Sequence, residues 1–318
     1  MPLTGDASVD KRPRIGILGL AGMSVFLNVE RFHAPGETLR AKGLLMEPGG
    51  KGYNQAVAAQ RLGGDCVFFS AMGADSDAAV CESFLKNEGV APVIQSCEDC
   101  ATAYACILTD SRGENRVTVY RGAADSLTAE FVRENEKSLA SCDVILLGLE
   151  CSLAATLEAL KIAEEHGIYT VLNPAPMTVN DPALMRRFDL ITPNLQEACA
   201  ILDISQDTSL PALESSFRRL GINRVVVTLG GGGALLVDGE RGLRFPALRV
   251  RPVDTTGAGD CFNAALAVAL GRGESIDAAV EYAINASGCS VCRRGVMGSL
   301  PTQDEVMEKF KRITPKAV

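Results

Sequence analysis

The chain has 318 residues, enough for one large or two modest domains whose core needs no disulfide or metal staple. Its 31 Lys and Arg against 39 Asp and Glu leave a net charge of −8 without a long basic run, which makes nucleic acid a poor partner. A hydrophobic fraction of 47% with no apolar run near ~18 residues argues against a membrane span and for a globular protein.

Residues 1–12 are polar and are expected to be a flexible arm ahead of a single α/β domain over 13–318. Lys11, Arg12 and Arg14 followed by IGILGLAGMSVFL imitate a secretory leader. No small-x-small cleavage pattern follows, and a strand ending in a glycine turn explains the same letters. Short apolar runs at 15–20, 66–71, 144–149, 169–172, 190–192 and 225–229 read as buried parallel strands. They alternate with helical patterns at 54–62, 78–89, 128–140, 154–165, 196–202, 211–220 and 260–270. Gly89, Gly167, Gly221 and Gly271 fall where helices should stop. Two stretches break this rhythm, 25–47 and 102–121, and the second alternates about SRGE at 111–114 as a hairpin does. No internal repeat is present.

Eleven cysteines, an odd number set mostly among apolar neighbours, point to a reducing compartment and hence the cytoplasm. Cys97 with Cys100 and Cys289 with Cys292 form two CxxC pairs, but they lie far beyond the spacing of a zinc ribbon, so no structural zinc is expected.

The chemistry concentrates in VDTTGAGDCFNAALAVAL, 253–270. Gly257 and Gly259 free the backbone to bend and expose N–H groups, and the apolar helix that follows adds the positive end of its dipole. That arrangement suits a phosphate. Asp260 is then the carboxylate in reach of it, placed to take the proton from an alcohol that attacks phosphorus. Other phosphate motifs fail: Lys51 of GGKG is followed by Gly52 rather than Ser or Thr, and the glycines of GILGLAG have the wrong offsets for a dinucleotide fingerprint.

DTTGAGD resembles the C-terminal signature of the ribokinase, or PfkB, family of carbohydrate kinases. PGGKGYNQAVAAQRLGG (48–64), LNPAPM (172–177), TPNLQEA (192–198) and VVVTLGGGGALL (225–236) resemble further family segments in the family's order. The resemblance spans nearly everything after Arg14 and is strongest to the ribokinase branch. It implies a three-layer α/β sandwich with a mostly parallel central sheet, and a small β-sheet lid from 25–47 and 102–121. The activity it implies is transfer of the ATP γ-phosphate to the primary hydroxyl of a sugar, ribose first and a nucleoside or other sugar second. A ligand-binding regulatory protein without catalysis is the reading from another class, since fold alone does not fix function.

Carried onto this sequence, the resemblance makes Asp260 the base and the amides of Gly257, Ala258 and Gly259 an anion hole. Gly49, Gly50, Lys51, Asn54 and Glu150 would contact the sugar. Asn194, Thr228 and Gly230 would line the nucleotide, with Glu197 acting on Mg²⁺ directly or through water. Asp254, Thr256, Ser290, Arg293, Gly295 and Ser299 would surround K⁺. A homodimer through the lid edges is a further expectation. One departure stands out: where the family carries an asparagine and a sugar-gripping aspartate, this chain has Gly22 and Ser24, beside Met23, Val25 and Phe26. Losing a charged acceptor removes on the order of 1.5 to 3 kcal/mol of sugar binding, which puts the identity of the sugar in question.

Overall fold

The computed structural model describes residues 12–177 and 179–318. The strands are β1 (Arg14–Leu18), β2 (Gly22–Asn28), β3 (Gly43–Gly49), β4 (Asp65–Gly73), β5 (Ala91–Cys97), β6 (Ala103–Thr109), β7 (Asn115–Tyr120), β8 (Val144–Gly148), β9 (Tyr169–Asn173), β10 (Leu190–Ile191), β11 (Arg224–Thr228), β12 (Ala234–Asp238), β13 (Arg241–Phe245) and β14 (Lys316–Ala317). Ten of them form one sheet in the order β14-β13-β12-β11-β10-β9-β8-β1-β4-β5, parallel from β11 to β5 and antiparallel beyond β11.

Period-two alternation sends neighbouring side chains to opposite faces, and both faces are covered. Ile15, Ile17, Phe68 and Leu146 enter one core, with the helices Lys51–Arg61, Ala258–Gly271 and Ile276–Ser290. Leu18, Phe69, Leu147 and Val227 enter the other, with Leu153–His166 and Leu210–Arg219. That is why the parallel strands read as continuous apolar runs. The architecture is the α/β sandwich expected, and no helix among the described residues is long and apolar enough to cross a membrane.

The chain runs from β1 outward through β4 and β5, then returns to β8 on the other side of β1. The carboxyl ends of β1 and β8 therefore flank a topological switch point, where open α/β sheets bind ligands. Beside it, β3-β2-β6-β7 form a separate four-stranded sheet that unites the two stretches breaking the βα rhythm. Its strands begin at Gly22 and run to Gly49 in the first excursion, wider than 25–47. At the β6–β7 turn Gly113 has φ 82°, and one Asp110 oxygen accepts the amides of Arg112 and Glu114 at 2.9 and 3.0 Å.

Two local expectations are corrected. The helix over 128–140 is two, Ala129–Glu134 and Glu136–Ala140, parted at Asn135, whose side chain bonds back to the Phe131 carbonyl. Gly271 lies inside its helix, and the left-handed stop is Gly273, at φ 79°. The flexible arm expected over 1–12 lies, up to residue 11, outside the described residues; Arg12 donates to the Gly64 carbonyl at 2.5 Å.

Candidate active site

Asp260 sits in the first turn of Ala258–Gly271, whose N-cap is Gly257 at φ 76°. A first turn leaves amides without helical partners, and glycine reaches that φ without the cost other residues bear. The Ala258 amide is engaged in the turn, donating to the Thr255 carbonyl at 3.2 Å. A Cβ placed on Gly259 would meet nothing within 4 Å, so backbone is presented to open space there.

Asp260 itself is buried, and its carboxylate accepts from Asn54 Nδ2 at 2.7 Å. Burial lifts its pKa above the ordinary carboxylate value; the Lys51 charge and hydrogen bonds from Asn54 and Gln55 oppose the shift. Lys51 and Asn54 arrive together because Gly50, at φ 107°, turns the chain from β3 into Lys51–Arg61. Any larger residue at Gly50 would collide with the Leu20 carbonyl. Asp260 first, then Glu150 and Glu197, raise the Lys51 pKa against the desolvation that would lower it. Glu150 follows β8, and its carboxylate accepts the Gly52 amide at 3.2 Å. Burial pushes its carboxyl up to about 7, with Lys51 opposing and Asp260 reinforcing.

Asn54 Oδ1 is buried without a hydrogen-bond partner. An orphaned acceptor beside a carboxylate is costly unless a ligand donor satisfies it, as a hydroxyl would. Ser24 lines the same space: a Cβ on Gly49 would collide with its hydroxyl and lie 3.8 Å from Asn54 Oδ1. Gly22 has no room for a side chain, since a Cβ there would strike the Ala103 carbonyl of β6.

On the other side of the glycine turn is a cleft of about 560 Å³ lined by Thr228, Gly230, Leu248, Gly259, Phe262 and Ile284, among others. Asn194 bridges to Thr228, and Asn194 and Glu197 cap each other's backbone at 2.8 Å. Only one Glu197 oxygen is used in that box, and burial raises its pKa, with the Asn194 amide and Lys51 opposing.

Asp254 gathers a third group. Its Oδ1 accepts the Thr256 amide at 3.0 Å, and its Oδ2 accepts the Gly295 amide at 3.1 Å. Ser290 and Ser299 are buried, with hydroxyls donating to the carbonyls of Ser287 and Val296 at 2.8 Å. The Arg293 guanidinium is taken by Glu305.

Several residues escaped the sequence reading. Gln55 is buried beside Asp260 and donates to Asn173 Oδ1 at 3.3 Å. Ala247, Leu248, Val250, Ile284, Gly288 and Val291 line the cleft and carry no polar signal that a sequence could display, and Arg249 lies among them without a motif around it.

Residues 13–303 match the family model described as pfkB family carbohydrate kinase. The ribokinase of Haemophilus influenzae is 33% identical over 93% of this chain and 98% of its own length. The bifunctional ribokinase/ribose-5-phosphate isomerase A of Fructilactobacillus sanfranciscensis is 35% identical over 92% of this chain, which spans 55% of that protein. The Arabidopsis thaliana ribokinase structure, complexed with ribose and ATP, superposes with a TM-score of 0.86 at 25% identity, over 95% of this chain and all of that one.

Proposed function

The chain belongs to the pfkB family of carbohydrate kinases and is a sugar kinase that uses ATP; we propose that it transfers the γ-phosphate to the primary hydroxyl of ribose. The observation that carries this reading is the buried Asp260, held by Asn54 in the first turn of a helix whose start borders the cleft at Thr228 and Gly230.

Phosphoryl transfer passes through a loose transition state, so positioning and electrostatics do most of the work. Asp260 orients the hydroxyl and accepts its proton as the new O–P bond forms, when the alcohol becomes acidic. Its neighbour Lys51 opposes the upward shift that burial imposes on that carboxylate. The amides of Gly257 and Gly259, and that of Ala258 once it leaves the Thr255 carbonyl, oppose charge on the transferred oxygens. Gly49, Gly50, Lys51, Asn54 and Glu150 hold the sugar hydroxyls, and Asn194, Thr228 and Gly230 the nucleotide.

The free oxygen of Glu197 suits Mg²⁺, directly or through water, where the ion would neutralise phosphate charge. Asp254, bonded to Thr256 and Gly295, would hold K⁺ together with Ser290, Arg293 and Ser299, and the ion would fix the loop beside the anion hole. The four-stranded sheet serves as a lid over the sugar and as the dimer contact, and the protein works in the cytoplasm.

Ser24 supports a second reading. The sheet beyond it, with Phe26 and Leu45, borders an open cleft of about 730 Å³, which leaves room for a nucleoside. ATP consumption with Mg²⁺ and K⁺ across pentoses, hexoses, deoxysugars and nucleosides decides between them. Turnover with ribose is expected, lower by about 10³-fold in Asp260→Asn, with ribose binding retained. Turnover confined to nucleosides would replace the substrate, and none with any acceptor would favour the regulatory binding protein.

A further inference from the structure

Glu47 of β3 stands opposite Ser24 of β2, which stands opposite Ala105 of β6. Cross-strand partners share a face, so Glu47 lies on the face that carries Ser24 toward Asn54. From there its carboxylate reaches across 249 residues of sequence: Oε1 accepts the Val296 amide at 2.8 Å and the Met297 amide at 3.4 Å.

Those amides belong to the loop after Ile276–Ser290, and that loop touches both ends of the glycine turn. Gly295, at φ 73°, donates to Asp254, which in turn holds Thr256. Val296 packs where a Cβ on Gly257 would come within 2.8 Å of its side chain. One carboxylate from the small sheet is thus joined, through adjacent residues, to the segments that open the Asp260 helix. A carboxylate on two N–H donors makes charge-assisted hydrogen bonds, stronger than a neutral side chain would.

We propose that Glu47 is a positioning residue that couples docking of the four-stranded sheet over the sugar to the set of the glycine turn at Gly257. The phosphate-side amides then take their working positions when the sheet is down, and phosphoryl transfer awaits the acceptor. The consequence for turnover rests on the sugar-kinase reading; the link itself does not.

Hydrogen exchange of the 293–299 segment, with and without ribose, tests the link in the wild-type protein, Glu47→Ala, Glu47→Gln and Glu47→Asp. In the Ala variant the Val296 and Met297 amides should exchange about tenfold faster, and ribose should no longer slow them. Its kcat should fall about tenfold while the KM for ATP changes less than about twofold. Gln keeps an acceptor at the same reach and should stay within about threefold of wild type. Asp keeps the charge but not the reach and should resemble Ala, so it carries the test if the Ala variant does not fold.

Exchange and kcat at wild-type values in both the Ala and Asp variants would overturn the proposal. So would a kcat loss matched by an equal loss in Gln with 293–299 unchanged. If the wild-type protein bound no sugar, the kinase reading would fall, yet the exchange difference between unliganded wild type and variants would still decide the link.

Discussion

Glu150 is a buried carboxyl whose pKa is lifted to about 7, mainly by desolvation. A folded-state pKa above the unfolded one means the native state holds the proton more tightly. The associated stability is complete below the unfolded value and is lost as pH rises through about 7. Glu150→Gln should therefore gain on the wild type as pH goes from 5 to 8, by up to about 3 kcal/mol in urea melts. A difference that stays flat over that range would count against it. Ser24 permits a second prediction. Ser24→Asp restores a charged acceptor beside Asn54 and should lower the ribose KM by about 10- to 100-fold. Gly22→Asn should instead destabilise, because its Cβ would strike the Ala103 carbonyl, a collision that only the pairing of β2 with β6 reveals. The departures at Gly22 and Ser24 were visible in the sequence, whereas the steric reason for Gly22 was not.

At the scale of elements, the glycine turn and its helix act as one unit. Gly257→Ala must hold a left-handed φ at a cost of roughly 1–2 kcal/mol and press a methyl into Val296. Thermal melts should show the loss of stability, and turnover should fall more steeply than melting explains, since the first-turn amides move with the cap. Wild-type kcat in a destabilised Gly257→Ala protein would separate that turn from the chemistry. This element was legible because glycine, aspartate and an apolar helix follow one another within a few residues. Ile276–Ser290 was harder to read: it is buried nearly all round, so its small residues show no amphipathic period, although Ser275 caps it. β5 begins with Ala91-Pro92 and is only half-buried, which weakens the strand pattern. The Glu47 link and the wall from Ala247 to Val250 arise only from tertiary closure, and the mutual cap of Asn194 and Glu197 could be read while its nearness to Thr228 could not.

Across the whole molecule, exposed apolar surface gathers on the small sheet. β7 is exposed along its length, with Val117, Val119 and Tyr120 each more than half accessible, and β3 adds Leu44, Leu45 and Met46. Both are outer strands, so each also leaves one edge without a ladder partner within its sheet. Unpaired edges and apolar patches are normally covered or charged. A second copy of the same sheet would fit two such edges, and would stiffen a four-stranded sheet too thin to hold its own core. Sedimentation should find a dimer for the wild-type protein at micromolar concentration and a monomer for Val119→Lys combined with Leu44→Lys. Neither position touches Asp260 or Asn54 in the hydrogen-bond network, so the monomer should keep ATP binding while its sugar KM rises as the lid loosens. A wild-type protein that sediments as a monomer throughout, with sugar KM unmoved by the two lysines, would mean that the sheet closes without a partner.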